Sequence, residues 1–204
     1  MKAHTFIPVA VHFLSLLPLA ILAFQFSTGQ LEPNPAQALE QLTGRIALSF
    51  FTATLLISPL SRLLKQPVIQ RTRRPLGLYT FFYVALHLSI LVGFDYRFNL
   101  PLLSTTYLGK PFIWLGLATS LILAILALTS FDWWKHRLGK WWQWLHRLIY
   151  LAAILDLAHF FLAVKGNLLS LSGNLGCPLL FPFAIGLLLI LRIFQRQDRP
   201  VPPV

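Results

Sequence analysis

The sequence predicts an all-α integral membrane protein, a single transmembrane domain over residues 1–204 with about six helices in a bundle and both termini in the cytoplasm. Three observations predict it. The chain is 56% hydrophobic and only 11% charged, where a soluble domain is nearer a quarter charged. Its apolar residues fall into six runs that approach or reach the roughly 20 residues needed to cross a bilayer. Its 17 Lys+Arg, against 6 Asp+Glu, are confined to the short gaps between those runs. That confinement is the positive-inside pattern and excludes a nucleic-acid footprint, which needs a continuous basic face.

The six runs are approximately Phe6–Phe26, Gly44–Leu60, Pro75–Phe94, Pro111–Phe131, Trp141–Val164 and Pro178–Phe194. The first lacks a small-x-small end and is taken as a permanent helix, not a cleaved signal. The second and sixth are short, and the fifth carries Arg147 and Asp156. An N-terminus inside places Lys2, Arg62, Lys65, Arg71, Arg73, Arg74, Lys135, Arg137, Lys140, Arg147, Arg192, Arg196 and Arg199 on the cytoplasmic side, which is 13 of the 17. Arg45, Arg97, Lys110 and Lys165 are left outside. Glu32 and Glu40 fall in the first outer loop, where Pro33, Asn34 and Pro35 mark irregular backbone. Trp133, Trp134, Trp141, Trp142 and Trp144 form an aromatic belt at the inner surface, which could also line a quinone or flavin site.

Three histidines lie inside otherwise apolar runs: His87, His146 and His159. Imidazole is costly in hydrocarbon and is the usual axial ligand of haem iron, so these positions ask for a ligand. Cys177 is alone, which excludes an internal disulfide and a Cys-x-x-Cys-His attachment, so any haem is b-type. The third and fifth runs both cross from inside to outside. At about 1.5 Å per residue, His87 lies about 12 Å below Asp95 and His159 about 9 Å below Lys165, the same level in the outer half. His146 lies about 20 Å deeper and, on a uniform helix, roughly 140° from His159 around the axis. One haem cannot use both, so one or two haems are expected.

For His146 the other embedded histidine at an inner level is His12, although His12 alone reads more simply as a hydrogen-bonded core residue. His4 and His136 carry no assigned role. Arg71, Arg73 and Arg74 read as a topology signal and phospholipid anchor, with Arg73 and Arg74 as candidate partners of haem propionates. There is no Gly-rich dinucleotide or phosphate loop, no H-E-x-x-H and no G-x-S-x-G. The cytoplasmic segments are too short for a nicotinamide or FAD domain, so electrons must come from a separate donor. A different class, a transporter or metal-ion pathway using the same histidines and Asp156, would be expected to show an internal repeat, and no clear one is seen.

Several stretches together resemble the MsrQ (YedZ) family: Thr43-Gly44-Arg45 through Ser58-Pro59-Leu60, Arg71-Thr72-Arg73-Arg74 with Leu76-Gly77-Leu78, Leu86-His87-Leu88, Leu138-Gly139-Lys140 with Leu145-His146, and His159 through Val164-Lys165. The resemblance runs from about His12 to Lys165. It implies a haem-binding subunit of a bacterial inner membrane, in the ferric-reductase-like transmembrane superfamily, with His87, His146 and His159 as haem ligands and with haem b and FMN as cofactors. It further implies electron transfer from quinols or a cytosolic flavin reductase to MsrP, a periplasmic molybdenum-cofactor methionine sulfoxide reductase that repairs oxidised envelope proteins. Such a subunit has no substrate-reducing site of its own. Two features depart from the family: Asp156 stands where an apolar residue is expected, and Gly166–Pro178 does not follow the pattern.

Overall fold

The computed structural model describes residues 3–31 and 33–163, and every regular element among them is helical. Five stretches are long and apolar enough to cross a membrane: Val9–Ser27, Pro35–Leu63, Pro67–Asp95, Pro111–Leu128 and Lys140–Ala163. The expected sixth span, 178–194, lies outside the described residues.

The first helix, α1 (Ala3–Ser27), presents Phe13, Leu14 and Phe24 outward and buries Ser15 and Leu22. It packs on α3, where the Tyr83 hydroxyl donates to the Ser15 carbonyl at 2.7 Å. Helix α2 (Pro35–Leu63) begins well before the expected Gly44. Asn34 and Pro35, read from the sequence as loop, are its cap: the Asn34 side chain accepts from the Gln37 amide at 3.2 Å and Pro35 sits in the first turn. Glu40 is therefore a helical residue and not part of the outer loop.

After a 3₁₀ turn (Pro67–Thr72), α3 (Arg73–Ser89) continues into a π-helical turn at Ile90–Asp95. The chain leaves through Arg97 and Phe98, both with positive φ. A short α4 (Leu100–Tyr107), capped by the Asn99 side chain, leads to α5 (Pro111–Leu128). Helices α6 (Asp132–Leu138) and α7 (Lys140–His146) meet at Gly139, whose φ of +50° suits glycine.

The fifth span is not a uniform helix. Between α7 and α8 (Leu148–Ala163) the bonds tighten at Arg147, whose amide reaches back three residues to Trp144, as that of Tyr150 does to Arg147. The 140° rotation computed for an unbroken helix does not carry across that step.

The core joins α2, α3, α5 and α8. Leu48, Phe51 and Leu55 pack with Leu123, Ala152 and Ala153, flanked by Phe81 and Val84. The bundle is two tightly packed pairs, α2 with α3 and α5 with α8, joined across α3 and α5. Four hydroxyls inside it are satisfied by their own helices, Thr52 donating to the Leu48 carbonyl, Thr54 to Phe50, Thr80 to Leu76 and Ser120 to Gly116, whereas those of Ser15 and Thr119 have no partner among the described residues.

Candidate functional site

His87 leaves α3 near its end and is held from α2. A carbonyl can only accept, so the His87 Nδ1 carries the proton it donates to the Glu40 carbonyl at 2.9 Å. The ring packs against Gly44, one turn further along α2, where a Cβ would stand 3.3 Å from Cε1 and Nδ1. His159, near the end of α8, repeats this on α5. Its Nδ1–H donates to the Phe112 carbonyl at 2.7 Å, and a Cβ on Gly116 would fall 2.8 Å from Cε1 and Nδ1, closer than real Cβ atoms come.

In both units the carbonyl precedes the histidine by 47 residues and the glycine stands one turn after the carbonyl. Each pair of helices thus delivers one imidazole with its tautomer fixed and its Nε2 lone pair available to a metal. Sequence reasoning found the histidines but missed Gly44, Gly116 and the two carbonyls. The equal spacing from each glycine to its histidine was the signal.

These features fit two residues that would hold a haem iron. Two half-buried imidazoles come from separate helices, each oriented by a bond at Nδ1, and each has a glycine where a side chain would push it off its anchor. Among the described residues, no three His, Cys, Asp or Glu side chains are arranged to hold a metal ion directly.

His146 lies at the opposite end of the bundle and is held differently. Its Nδ1–H donates to the Trp142 carbonyl of its own helix at 3.1 Å, and its ring stacks on the Trp142 ring at 4.0 Å. Trp142 is itself fixed to the end of α5 by an Nε1–H bond to the Thr129 carbonyl at 2.8 Å. Arg73 lies within electrostatic reach of His146, and its Nη1 donates to the Ser58 hydroxyl at 3.2 Å. Arg74 pairs with Asp132 at 3.5 Å and lies over the Phe131 ring. His12 is exposed on α1, with Nδ1 3.0 Å from the Tyr79 hydroxyl of α3 and the two rings edge to face. His12 and His146 share no hydrogen bond or ring contact, so the described geometry leaves them with separate partners.

The family described as ferric reductase like transmembrane component matches residues 43–157, which include His87, His146 and both anchoring glycines. Similar proteins include the protein-methionine-sulfoxide reductase heme-binding subunit MsrQ of Cronobacter sakazakii (strain ATCC BAA-894), 45% identical over 168 residues that cover 80% of this chain and 82% of that protein. The proteins of the same name from Salmonella paratyphi B and Salmonella newport are each 41% identical over 165 residues, covering 80% of this chain and 83% of theirs.

Proposed function

Because the chain belongs to the MsrQ family of ferric-reductase-like transmembrane proteins, we propose that it carries electrons across a bacterial inner membrane through haem b held at His87 and His159. The observation that carries this reading is the duplicated anchor, Glu40 carbonyl with Gly44 and Phe112 carbonyl with Gly116, which presents two tautomer-fixed imidazoles from one end of the bundle. When bound, haem supplies a one-electron couple. The chain's residues set its ligation and surroundings: the two Nδ1 bonds keep both Nε2 atoms basic, and the helix pairs hold the rings against rotation.

The excess of basic residues in the gaps near Arg73 and His146 supports a cytoplasmic setting for that end and both termini, with the His87–His159 end towards the periplasm. His146 is the candidate ligand of a second, inner haem, with His12 as its candidate partner. Arg73 and Arg74 stand at that end with guanidinium groups suited to haem propionates. A quinol or a cytosolic flavin reductase would supply electrons there, FMN being the further cofactor the family resemblance brings. A periplasmic MsrP-like molybdenum-cofactor methionine sulfoxide reductase would receive them.

The test is an optical spectrum with haem quantified per chain. The purified protein should show a Soret band that shifts on dithionite reduction, and reoxidation should follow addition of the MsrP-type acceptor with a sulfoxide substrate. Absence of haem after expression in haem-replete cells would refute the reading.

A further inference from the structure

Helices α5 and α8 run antiparallel: Phe112 and Gly116 at the start of α5 meet His159 late in α8, while Thr129 beyond the end of α5 meets Trp142 before α8 begins. Gly116 faces His159, and further down the same seam Leu123 and Ala152 share the buried core. Three residues beyond Gly116 on α5 is Thr119, and three before His159 on α8 is Asp156, so the antiparallel register brings both to one level of the seam, one turn below the imidazole, with no hydrogen bond joining them.

Thr119 is only 3% exposed, and its Oγ1 has no hydrogen-bond partner among the described residues. Its neighbour Ser120 bonds back to its own helix, as the hydroxyls of Thr52, Thr54 and Thr80 do. An unsatisfied hydroxyl in a buried seam is costly and marks a place where a second polar group belongs.

The α2–α3 pair supplies a control within the molecule. Its register is set by Gly44 against His87, Gly77 against Thr54 and Arg73 against Ser58. The same two steps from glycine and histidine there lead to Ala47 and Val84, both apolar and packed in the core. The anchor is duplicated, but the polar pair beneath it is present on the His159 side alone.

We propose that Asp156, with the Thr119 hydroxyl at the same level of the seam, is a protonation site that takes up one proton when the His87–His159 centre gains an electron and returns it when the electron leaves. This rests on the haem reading given above. The electron comes from the quinol or reduced flavin and converts ferric to ferrous iron. The proton comes from the aqueous phase and adds to an Asp156 carboxylate oxygen, so the charge of the region is unchanged and no bond to iron forms or breaks. Reoxidation by the acceptor reverses both steps.

An uncompensated charge in a low-dielectric interior is what such uptake avoids. Helix α5 carries no ionisable side chain, and α2 carries Glu40 and Arg45 in its first three turns, at the level of His87 and Gly44, with none from there to Arg62. On α3 the Tyr83 hydroxyl is committed to Ser15 and His87 to Glu40, and on α7 His146 is committed to Trp142. On α8 itself, Tyr150 lies near the opposite end of the helix and His159 is committed to Phe112. Asp156 is thus the carboxyl of the α5–α8 seam, while Glu40 stands in the first turns of α2 on the His87 side.

The test uses the haem-loaded protein in detergent or nanodiscs. Redox-induced infrared difference spectra should show a protonated-carboxyl C=O band growing on reduction in the wild type, absent in Asp156→Asn and shifted in Thr119→Val. Potentiometric titration should show the reduced-to-oxidised ratio at fixed potential falling with rising pH in the wild type, by up to about tenfold per unit within part of the range from about pH 5 to 9. Asp156→Asn should flatten that dependence while retaining haem. Should Asp156→Asn not fold, deuterium exchange and carboxyl-labelled Asp in the wild type alone decide the matter, since a missing band overturns the proposal. Haem bound with the same pH dependence in wild type and Asp156→Asn also overturns it, whereas a wild type without haem sinks the haem reading instead.

Discussion

The two ends of the bundle both hold histidines in apolar surroundings, yet they hold them by different means. At one end His87 and His159 are each tied to a carbonyl of another helix and laid against a glycine of that helix. At the other, His146 is tied to a carbonyl one turn back in its own helix and stacked on its own helix's Trp142, among arginines and tryptophans. A ring bonded across helices is fixed relative to the bundle, and it moves only if two packed helices separate. A ring bonded within its own helix is fixed relative to that helix alone, and α7 is one short segment between Gly139 and the tightened step at Arg147. The first arrangement suits a centre of constant geometry and the second suits a site that adapts to what docks there.

The largest effect that separates the ends should come from removing a ligand. His87→Ala or His159→Ala is expected to abolish the low-spin bis-imidazole signal completely while the protein remains in the membrane, because one of the two imidazoles that would hold the haem is then gone. Electron paramagnetic resonance of membranes from cells expressing each variant measures this. A signal unchanged in both variants would refute the pairing.

Next in size are the glycines, which test the anchoring and not the ligands. Gly116→Ala places a methyl 2.8 Å from the His159 ring and Gly44→Ala places one 3.3 Å from the His87 ring. Overpacking of this kind costs about 1–3 kcal/mol, so Gly116→Ala should lower haem occupancy or broaden the signal more than Gly44→Ala. Gly109→Ala, with nothing within 4 Å of the added carbon, should be silent. Equal behaviour of all three would mean that the close approach does not hold the rings.

These residues show where the sequence was legible and where it was not. The five described spans followed from run length, because hydropathy is a local property. The start of α2 was misplaced because Asn34-Pro35 carries both meanings, irregular backbone and N-cap with first-turn proline, and only the helix that follows decides between them. The anchoring carbonyls were invisible because every residue has one, and only the register of two packed helices selects Glu40 and Phe112. The short helices α4 and α6 and the step at Arg147 arise at gaps, where the apolar pattern that locates spans falls silent.

A smaller effect is expected from His146→Ala. It should leave the bis-imidazole signal of the opposite end in place and slow reduction of that centre by a quinol or flavin donor, measured by stopped flow. Transfer from the pre-reduced centre to the periplasmic acceptor should be unchanged. His12→Ala sharpens the result: loss of the same spectral component in both variants supports a shared inner haem, and loss in His146→Ala alone assigns His12 to its Tyr79 contact. Donor-driven reduction at wild-type rate in His146→Ala would leave the protein with one haem and remove the functional side of the comparison.

The smallest effect should come from the ion pair at the His146 end. Arg74 and Asp132 meet at 3.5 Å with side chains 45% and 74% exposed. Exposed pairs contribute roughly 0–1 kcal/mol, since water and salt screen the attraction and ordering two side chains opposes it. Arg74 also lies over the Phe131 ring, 5.8 Å from its centroid, so Arg74→Gln loses more than charge. A double-mutant cycle of Arg74→Gln and Asp132→Asn isolates the pair from that stacking. The coupling read from thermal unfolding in detergent should stay below about 1 kcal/mol and shrink as salt is raised through physiological strength. A coupling above about 2 kcal/mol, insensitive to salt, would place the pair in the low-dielectric regime. The His146 end would then be held by its charges as firmly as the other end is held by its carbonyls, and the contrast between an adaptable end and a fixed one would fall.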